Sequence, residues 1–252
     1  MKKFFGLLLT LELVFVLVGC GEKSTTTTKE TKGEGVLYHE EFLALKDGTE
    51  GAVIEAYIQA KTYKNTYGNV CLYLQDHDGG YYVYRMNVTD AQYDELKVGQ
   101  KIKITGTKTS WSQWVEVAEG SATYELERGQ YIAEAKDATE YWATLDDLIK
   151  LQNQKVKFSC KVAGTEVSGE ERPFAYKYDG SGDRGADLYM NFKINSVVYT
   201  FLVETDLCNG DTDVYKAGEA LTIGDDVEIE GFLCWYSEKP QLHITKITKV
   251  SK

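Results

Sequence analysis

Proline, which interrupts β ladders, occurs only twice in 252 residues, at Pro173 and Pro240. No long stretch carries a 3.6-residue apolar period, so a helical fold has little support. Histidine is almost as scarce: His39, His77 and His243 are far apart and none stands at metal-ligand spacing, which leaves no zinc signature. Basic residues are in deficit, 28 against 39 acidic ones, for a net charge of −11. A polyanion meets repulsion over such a surface, so broad nucleic-acid binding is disfavoured. No G-x-S-x-G elbow, P-loop or dinucleotide fingerprint is present, and Asp179-Gly180-Ser181-Gly182 lacks the flanking strand and helix that a nucleophile elbow needs. The acidic pairs Asp225-Asp226 and Glu170-Glu171 are adjacent rather than convergent, as on a solvated face. Catalysis finds no positive support. What the chain has is apolar and aromatic material, 43% and 12% of residues, enough to bury a core and to exclude disorder or a collagen-like fibre.

The N-terminus carries an address. Lys2 and Lys3 precede an almost wholly apolar run from Phe4 to Gly19, shorter than the roughly 20 residues of a comfortable membrane span and interrupted by Glu12. This is the layout of a secretory signal peptide over residues 1–19. Leu17-Val18-Gly19-Cys20 resembles the lipobox of bacterial lipoproteins, and that resemblance implies that Cys20 becomes the lipidated first residue. Residues 20–35, with a Ser-Thr run followed by Lys and Glu and almost nothing to bury, read as a solvated tether. With acyl chains on Cys20 as its membrane partner, the rest is free to be an ordinary soluble protein outside the cytoplasmic membrane. After cleavage, 26 basic residues would face 38 acidic ones.

An internal repeat sets the architecture. Val98-Gly99-Gln100-Lys101-Ile102-Lys103-Ile104-Thr105-Gly106 aligns without a gap on Ile223-Gly224-Asp225-Asp226-Val227-Glu228-Ile229-Glu230-Gly231. With two extra residues allowed, Lys239-Pro240, the following strand aligns Val115-Glu116-Val117 on Leu242-His243-Ile244. Reading backwards, each copy offers a helical lead-in and three alternating strands before this stretch. In the first copy a short helix follows, Asp90 to Leu96, capped by Thr89 or Asp90; in the second a looser segment, Asp206 to Leu221, stands in its place. Three strands, a connecting helix and two strands are the order of an OB-fold, a five-stranded Greek-key barrel. The expected fold is all-β with short helices: barrel 1 over 36–128, a linker over 129–138 and barrel 2 over 139–252. On this repeat and the K-V-G-Q-K-I-K-I-T-G stretch, the whole chain resembles tandem OB-like surface lipoproteins of Gram-positive bacteria, a family without assigned activity.

Aromatic residues supply the candidate binding groups. The in-out alternation of the two strands places Trp111 and Trp114 on the outer face of one hairpin, with Trp235 and Tyr236 at the equivalent place in the second copy and Tyr236 matching Trp111. OB-folds commonly bind oligonucleotides or oligosaccharides with the loop between their fourth and fifth strands. The alternative is that these rings pack the barrel end or the other module. Tyr63, Tyr67, Tyr81, Tyr82 and Tyr84 add aromatic surface. Asp76-His77-Asp78-Gly79-Gly80 reads as a hairpin turn rather than a calcium loop, since it lacks the later ligands of an EF-hand. Asp179, Asp183 and Asp187 form a weak cation candidate in a loop. Cys71, Cys160, Cys208 and Cys234 read as free, mostly buried thiols, with one bridge among the last three as the alternative.

No cofactor is implied. The functional expectation is a lipid-anchored, non-catalytic binding or adhesion module for a saccharide, peptide or protein. Nucleic-acid capture through the aromatic hairpins is a second reading, opposed by charge in both halves: 9 basic against 14 acidic residues over 36–128, and 13 against 19 over 139–252. A third is an accessory subunit of an envelope complex, in which the barrels act as spacers.

Overall fold

The computed structural model describes residues 30–250. The signal peptide, Cys20 and the first ten residues of the expected tether lie outside them. Two closed five-stranded barrels of OB topology follow one another along the chain.

Barrel 1 opens with helix α1 (His39–Ala44), whose Phe42 plugs the core, and strand β1 (Thr49–Lys61). β1 is long enough to pair on both edges. β2 (Asn69–Gln75) takes its C-terminal half and β4 (Gln100–Trp111) its N-terminal half, with a bulge near Ile58–Ala60. β2 and β3 (Gly80–Asn87) form the expected hairpin, whose turn is held by Asp76 Oδ1 accepting from the backbone N–H groups of Asp78 and Gly79. Helix α2 (Asp90–Glu95) starts at Thr89, whose hydroxyl accepts from the Gln92 N–H, as a helix with four orphan donors requires. β5 (Trp114–Val117) pairs antiparallel with β4 and parallel with β3 through Val117 and Val83, which closes the barrel. β6 (Thr123–Gln130) extends the sheet along the rest of the same β4 edge.

Barrel 2 repeats this order. A two-residue strand β7 (Lys136–Asp137) runs parallel to β8 (Lys155–Ala163), with helix α3 (Leu145–Leu148) between them. An excursion of three short strands, β9 (Thr165–Val167), β10 (Glu170–Arg172) and β11 (Ala175–Tyr176), precedes the hairpin β12 (Leu188–Ile194) and β13 (Val197–Val203). The looser segment contains a helix after all, α4 (Asp213–Glu219), capped by Thr212; its buried Val214 and Tyr215 join the core. β14 (Asp226–Tyr236) and β15 (Lys239–Lys249) then close the barrel through β8 on one side and, at Leu202 and His243, β13 on the other.

The repeat glycines have a shared reason. A Cβ on Gly106 would lie 2.4 Å from Val117 Cγ1, and one on Gly231 would lie 2.2 Å from the His243 carbonyl oxygen. A side chain at either point would push the fifth strand off the bend of the fourth. The alignment beyond the glycines needs correction. Lys108 pairs with Val117 and Leu233 with Leu242, the same spacing in both copies, so no residues are inserted between Gly231 and Leu242. Both turns are tight, with φ of 48° and 73° at Ser112 and Gln113 and 48° and 63° at Ser237 and Glu238. Trp111, Trp114 and Glu116 therefore correspond to Tyr236, Lys239 and Gln241. Pattern matching favoured a gap because it aligned apolar Val115 with apolar Leu242 instead of with Pro240.

The outer limits also differ from expectation. From Glu30 onward the expected tether lies against barrel 1: Tyr57 donates to Glu30 Oε1, and Lys32 donates to the Glu55 carbonyl and pairs with Asp76, both charged groups being buried. Within the expected linker, Gly129 and Gln130 belong to β6, Ala133 N donates to Gln59 Oε1, and Lys136–Asp137 is a strand of barrel 2. The cores are separate. Barrel 1 packs mostly aliphatic residues, among them Ile54, Ile58, Leu72 and Leu74, whereas barrel 2 packs rings, Trp142, Phe158, Phe192 and Phe201.

Candidate binding site

A third apolar cluster belongs to neither core. Tyr73, Tyr82 and Trp114 of barrel 1 meet Phe232 and Cys234 of barrel 2. Each of these barrel 1 residues points away from its own core, because β2, β3 and β5 alternate: Leu72 and Leu74 go in, Tyr73 out; Val83 in, Tyr82 out; Val117 in, Trp114 out. The Tyr73 ring stacks on Phe232 at 4.5 Å, and Tyr82 on Trp114 at 4.2 Å. Polar groups at the edge of the cluster are satisfied across the junction. Trp114 Nε1 donates to Asn153 Oδ1 (2.6 Å), Asn153 Nδ2 donates to the Val115 carbonyl (2.8 Å), and Gln152 bonds Val115 N and the Gln113 carbonyl.

Beside this cluster the barrels leave a cleft of about 860 Å³. That size is usual for a small-ligand site. Aromatic rings form much of its wall. Tyr84 and Tyr82 continue into Trp114, and Trp111 meets Tyr236 across the cleft mouth with ring centroids 5.0 Å apart. Tyr178 and Tyr189 of barrel 2 complete the far side.

Four carboxylates also line it, and three have partners. Glu204 pairs with His243 Nδ1 at 3.1 Å, and the Tyr73 hydroxyl lies against both, 2.6 Å from His243 and 3.2 Å from Glu204. Burial works against charge on His243, but Cys234 and Glu204 outweigh it and hold the imidazole pKa well above its ordinary value; burial likewise raises Glu204, which His243 more than reverses. Asp187 accepts from Thr205 N and Oγ1, and Glu119 pairs with Arg85, whose guanidinium covers one face of Tyr84. The fourth, Glu116, is only 7% exposed, and its carboxylate has no hydrogen-bond or ion-pair partner among the described residues. Burial, and secondarily the charge of Glu119, push it up to about 7.

The aromatic candidates divide. Trp111 (55% exposed) and Tyr236 (41%) lie at the cleft mouth, outside their barrels as expected. Trp114 does leave its own barrel, but at 9% exposure it is covered by barrel 2 rather than open to solvent. Trp235 is a correction: it is 2% exposed, belongs to the barrel 2 core and does not line the cleft. Asp179 accepts from Ser181 within its own loop while Asp187 is engaged with Thr205, and no group of three metal-ligating side chains converges among the described residues. Cys71, Cys160, Cys208 and Cys234 are free thiols. Glu116, Glu204 and His243 had no part in the sequence-based site. The signal for Glu116 was available, since it stands two residues from Trp114 on one strand and so shares its face.

No protein-family model matches the chain, and no curated protein resembles it in sequence. Solved structures are similar only at a distance. They include a murine DNA-binding protein bound to double-stranded DNA, at 12% identity and TM-score 0.37 over 79% of this chain and 97% of that one. The HINa domain of Ifi202 in complex with double-stranded DNA aligns at 11% identity and TM-score 0.35, covering 79% of this chain and 96% of that one. A deletion mutant of the single-stranded DNA-binding protein from Thermus aquaticus aligns at 12% identity and TM-score 0.29, covering 82% and 97%.

Proposed function

We propose that the chain is a lipid-anchored, extracytoplasmic binding protein that holds a ligand in the cleft between its two OB barrels. The observation that carries this reading is the cleft itself, an aromatic-walled space of about 860 Å³ framed by the same hairpin of both repeats. Exposed rings at its mouth suit the flat apolar face of a saccharide or the side chain of a peptide or protein. Binding rather than catalysis is supported by the place of His243: it is buried, and its Nδ1 is already engaged by Glu204 and the Tyr73 hydroxyl. The four carboxylates oppose a phosphate backbone, which weighs against nucleic acid in this cleft.

Two measurements test the reading. A panel of glycans, peptides and oligonucleotides is screened by the fluorescence of the full-length chain, and a ligand of this site loses affinity in Trp111→Ala and Tyr236→Ala, by about 1–3 kcal/mol per stacked ring. A ligand unaffected by either substitution places binding elsewhere. For the anchor, Cys20→Ser should release folded protein from membranes or leave it unprocessed. Correctly cleaved Cys20→Ser protein that still needs detergent for extraction contradicts lipidation.

A further inference from the structure

Resting on the cleft as a binding site, the arrangement of its walls points to the chemistry of the ligand: we infer that it receives a quaternary ammonium group, seated among Tyr84 and the Trp111–Tyr236 pair with Glu116 as its counter-ion. Glu116 is nine-tenths buried as a residue, yet its carboxylate oxygens still reach the cleft, and a carboxylate so placed without a partner is costly to ionise. Here Glu204 and Glu119 have cationic partners in His243 and Arg85, and Asp187 is satisfied by the N–H and hydroxyl of Thr205, so Glu116 alone of the four has no partner among the described residues and a place for a cation is left beside it. The surroundings of that vacancy are rings, whose faces are negative and attract weakly hydrated cations. The protein already uses this attraction at the rim, where the Arg85 guanidinium carbon sits 4.9 Å from the centre of the Tyr84 ring. A primary ammonium asks for three hydrogen-bond acceptors, and of the carboxylates of the cleft Glu204, Asp187 and Glu119 are already engaged. A quaternary ammonium asks for none, and suits one carboxylate set among aromatic faces.

The test compares three probes on the full-length chain, held in a non-ionic detergent without a sugar headgroup: choline, its uncharged carbon isostere 3,3-dimethylbutanol, and a neutral oligosaccharide. Titration calorimetry is run at pH 8, where Glu116 is ionised. Choline should bind at least about tenfold more tightly than the isostere, and Glu116→Gln should remove that preference while leaving the isostere's affinity unchanged. Glu125→Gln, which deletes an exposed carboxylate on β6 and so makes the same change in net charge, should preserve the preference. Equal affinity for choline and its isostere, or a preference that survives Glu116→Gln, overturns the ammonium inference. If the oligosaccharide binds in a Trp111-dependent manner while choline does not, the cleft remains a binding site and the inference fails. If no probe binds, the inference fails, and the screen described above then decides separately whether the cleft binds anything else.

Discussion

The two hairpins that frame the cleft have the same backbone and different side chains. Both turn through two residues of positive φ, and both pair at the same distance from the repeat glycine. Yet Trp114 in barrel 1 answers to Lys239 in barrel 2, and Glu116 to Gln241. The inward positions keep their character because each barrel must fill its core; the outward ones are unconstrained by the barrel and are free to differ. Barrel 1 therefore supplies a stack of rings and an unneutralised carboxylate, while barrel 2 supplies a self-contained Glu204–His243 pair and the ring of Tyr236. Fold and binding surface can be read separately here, on alternate residues of the same strands.

Substitutions at matched positions break or sharpen this contrast. The largest effect should come from Trp114→Ala, which empties a buried site shared by both barrels and leaves Asn153 Oδ1 without its donor: about 3–5 kcal/mol of stability in urea unfolding. Lys239→Ala, at the equivalent exposed position, should change it by no more than about 0.5 kcal/mol. Equal losses would show that the hairpins are not used differently.

The second effect has the opposite sign. Glu116 has its pKa raised to about 7, so its ionisation opposes folding progressively from its ordinary value of 4.5 up to about 7 and by a constant amount above. Glu116→Gln should accordingly stabilise the protein at pH 8, by at most about 3 kcal/mol, and do little at pH 4. A flat difference between variant and wild type across that range would mean that Glu116 is solvated.

Glu204 and His243 give the barrel 2 counterpart. The raised pKa of His243 means that its contribution is complete below its ordinary 6.5 and is lost as pH climbs through the folded value. The lowered pKa of Glu204 means that its own contribution is present above 4.5 and is lost as pH falls through the folded value. Glu204→Gln should therefore destabilise by about 1–3 kcal/mol at pH 6, with a smaller loss in alkali once His243 is neutral in both proteins. The two barrels thus respond to pH through substitutions of opposite sign.

The smallest effects are expected at the mouth. Trp111→Ala and Tyr236→Ala should each shift stability by about 0.5 kcal/mol or less, and acrylamide should quench Trp111 in wild type far more than Trp114 or Trp235. A strongly destabilised Trp111→Ala would mean that the Trp111–Tyr236 contact braces the barrels rather than receiving a ligand.

The barrels were legible in the sequence because their signals are local and repeated: period-two apolar residues, the Thr89 cap and a glycine at each bend. Helix α4 was not, since its Asp213–Glu219 stretch is short, holds a glycine at position 218 and shows no apolar stripe long enough to register. The site was half legible. Trp111 and Tyr236 could be found from strand phase alone, but the fate of Trp114 depends on Asn153 and Phe232, residues of another module that no alternation rule brings near it. Trp235 departs from the expectation because equivalence of place does not fix the face: adjacent residues on a strand face opposite ways, and only Tyr236 of that pair can share the Trp111 face. Glu204 and His243 carry no signal singly. Their meaning comes from a parallel pairing between β13 and β15 that only the closed barrel creates.

Asn153 sits at the seam in a left-handed conformation (φ 65°), its N–H bonded to the Leu233 carbonyl while its side chain grips Trp114 and Val115. Two of its three bonds cross from one barrel to the other, and Gln152 beside it makes two more, so four crossing bonds leave from adjacent amides of one turn. Any movement that parts the hairpins must release these bonds along with those between Gln75 and Lys155 and between Tyr73 and His243, so the width of the cleft is set by a seam and not by one contact. Hydrogen exchange at the Asn153 side-chain amide and the Trp114 indole should then be slow in the protein alone, as for groups held inside a shared seam.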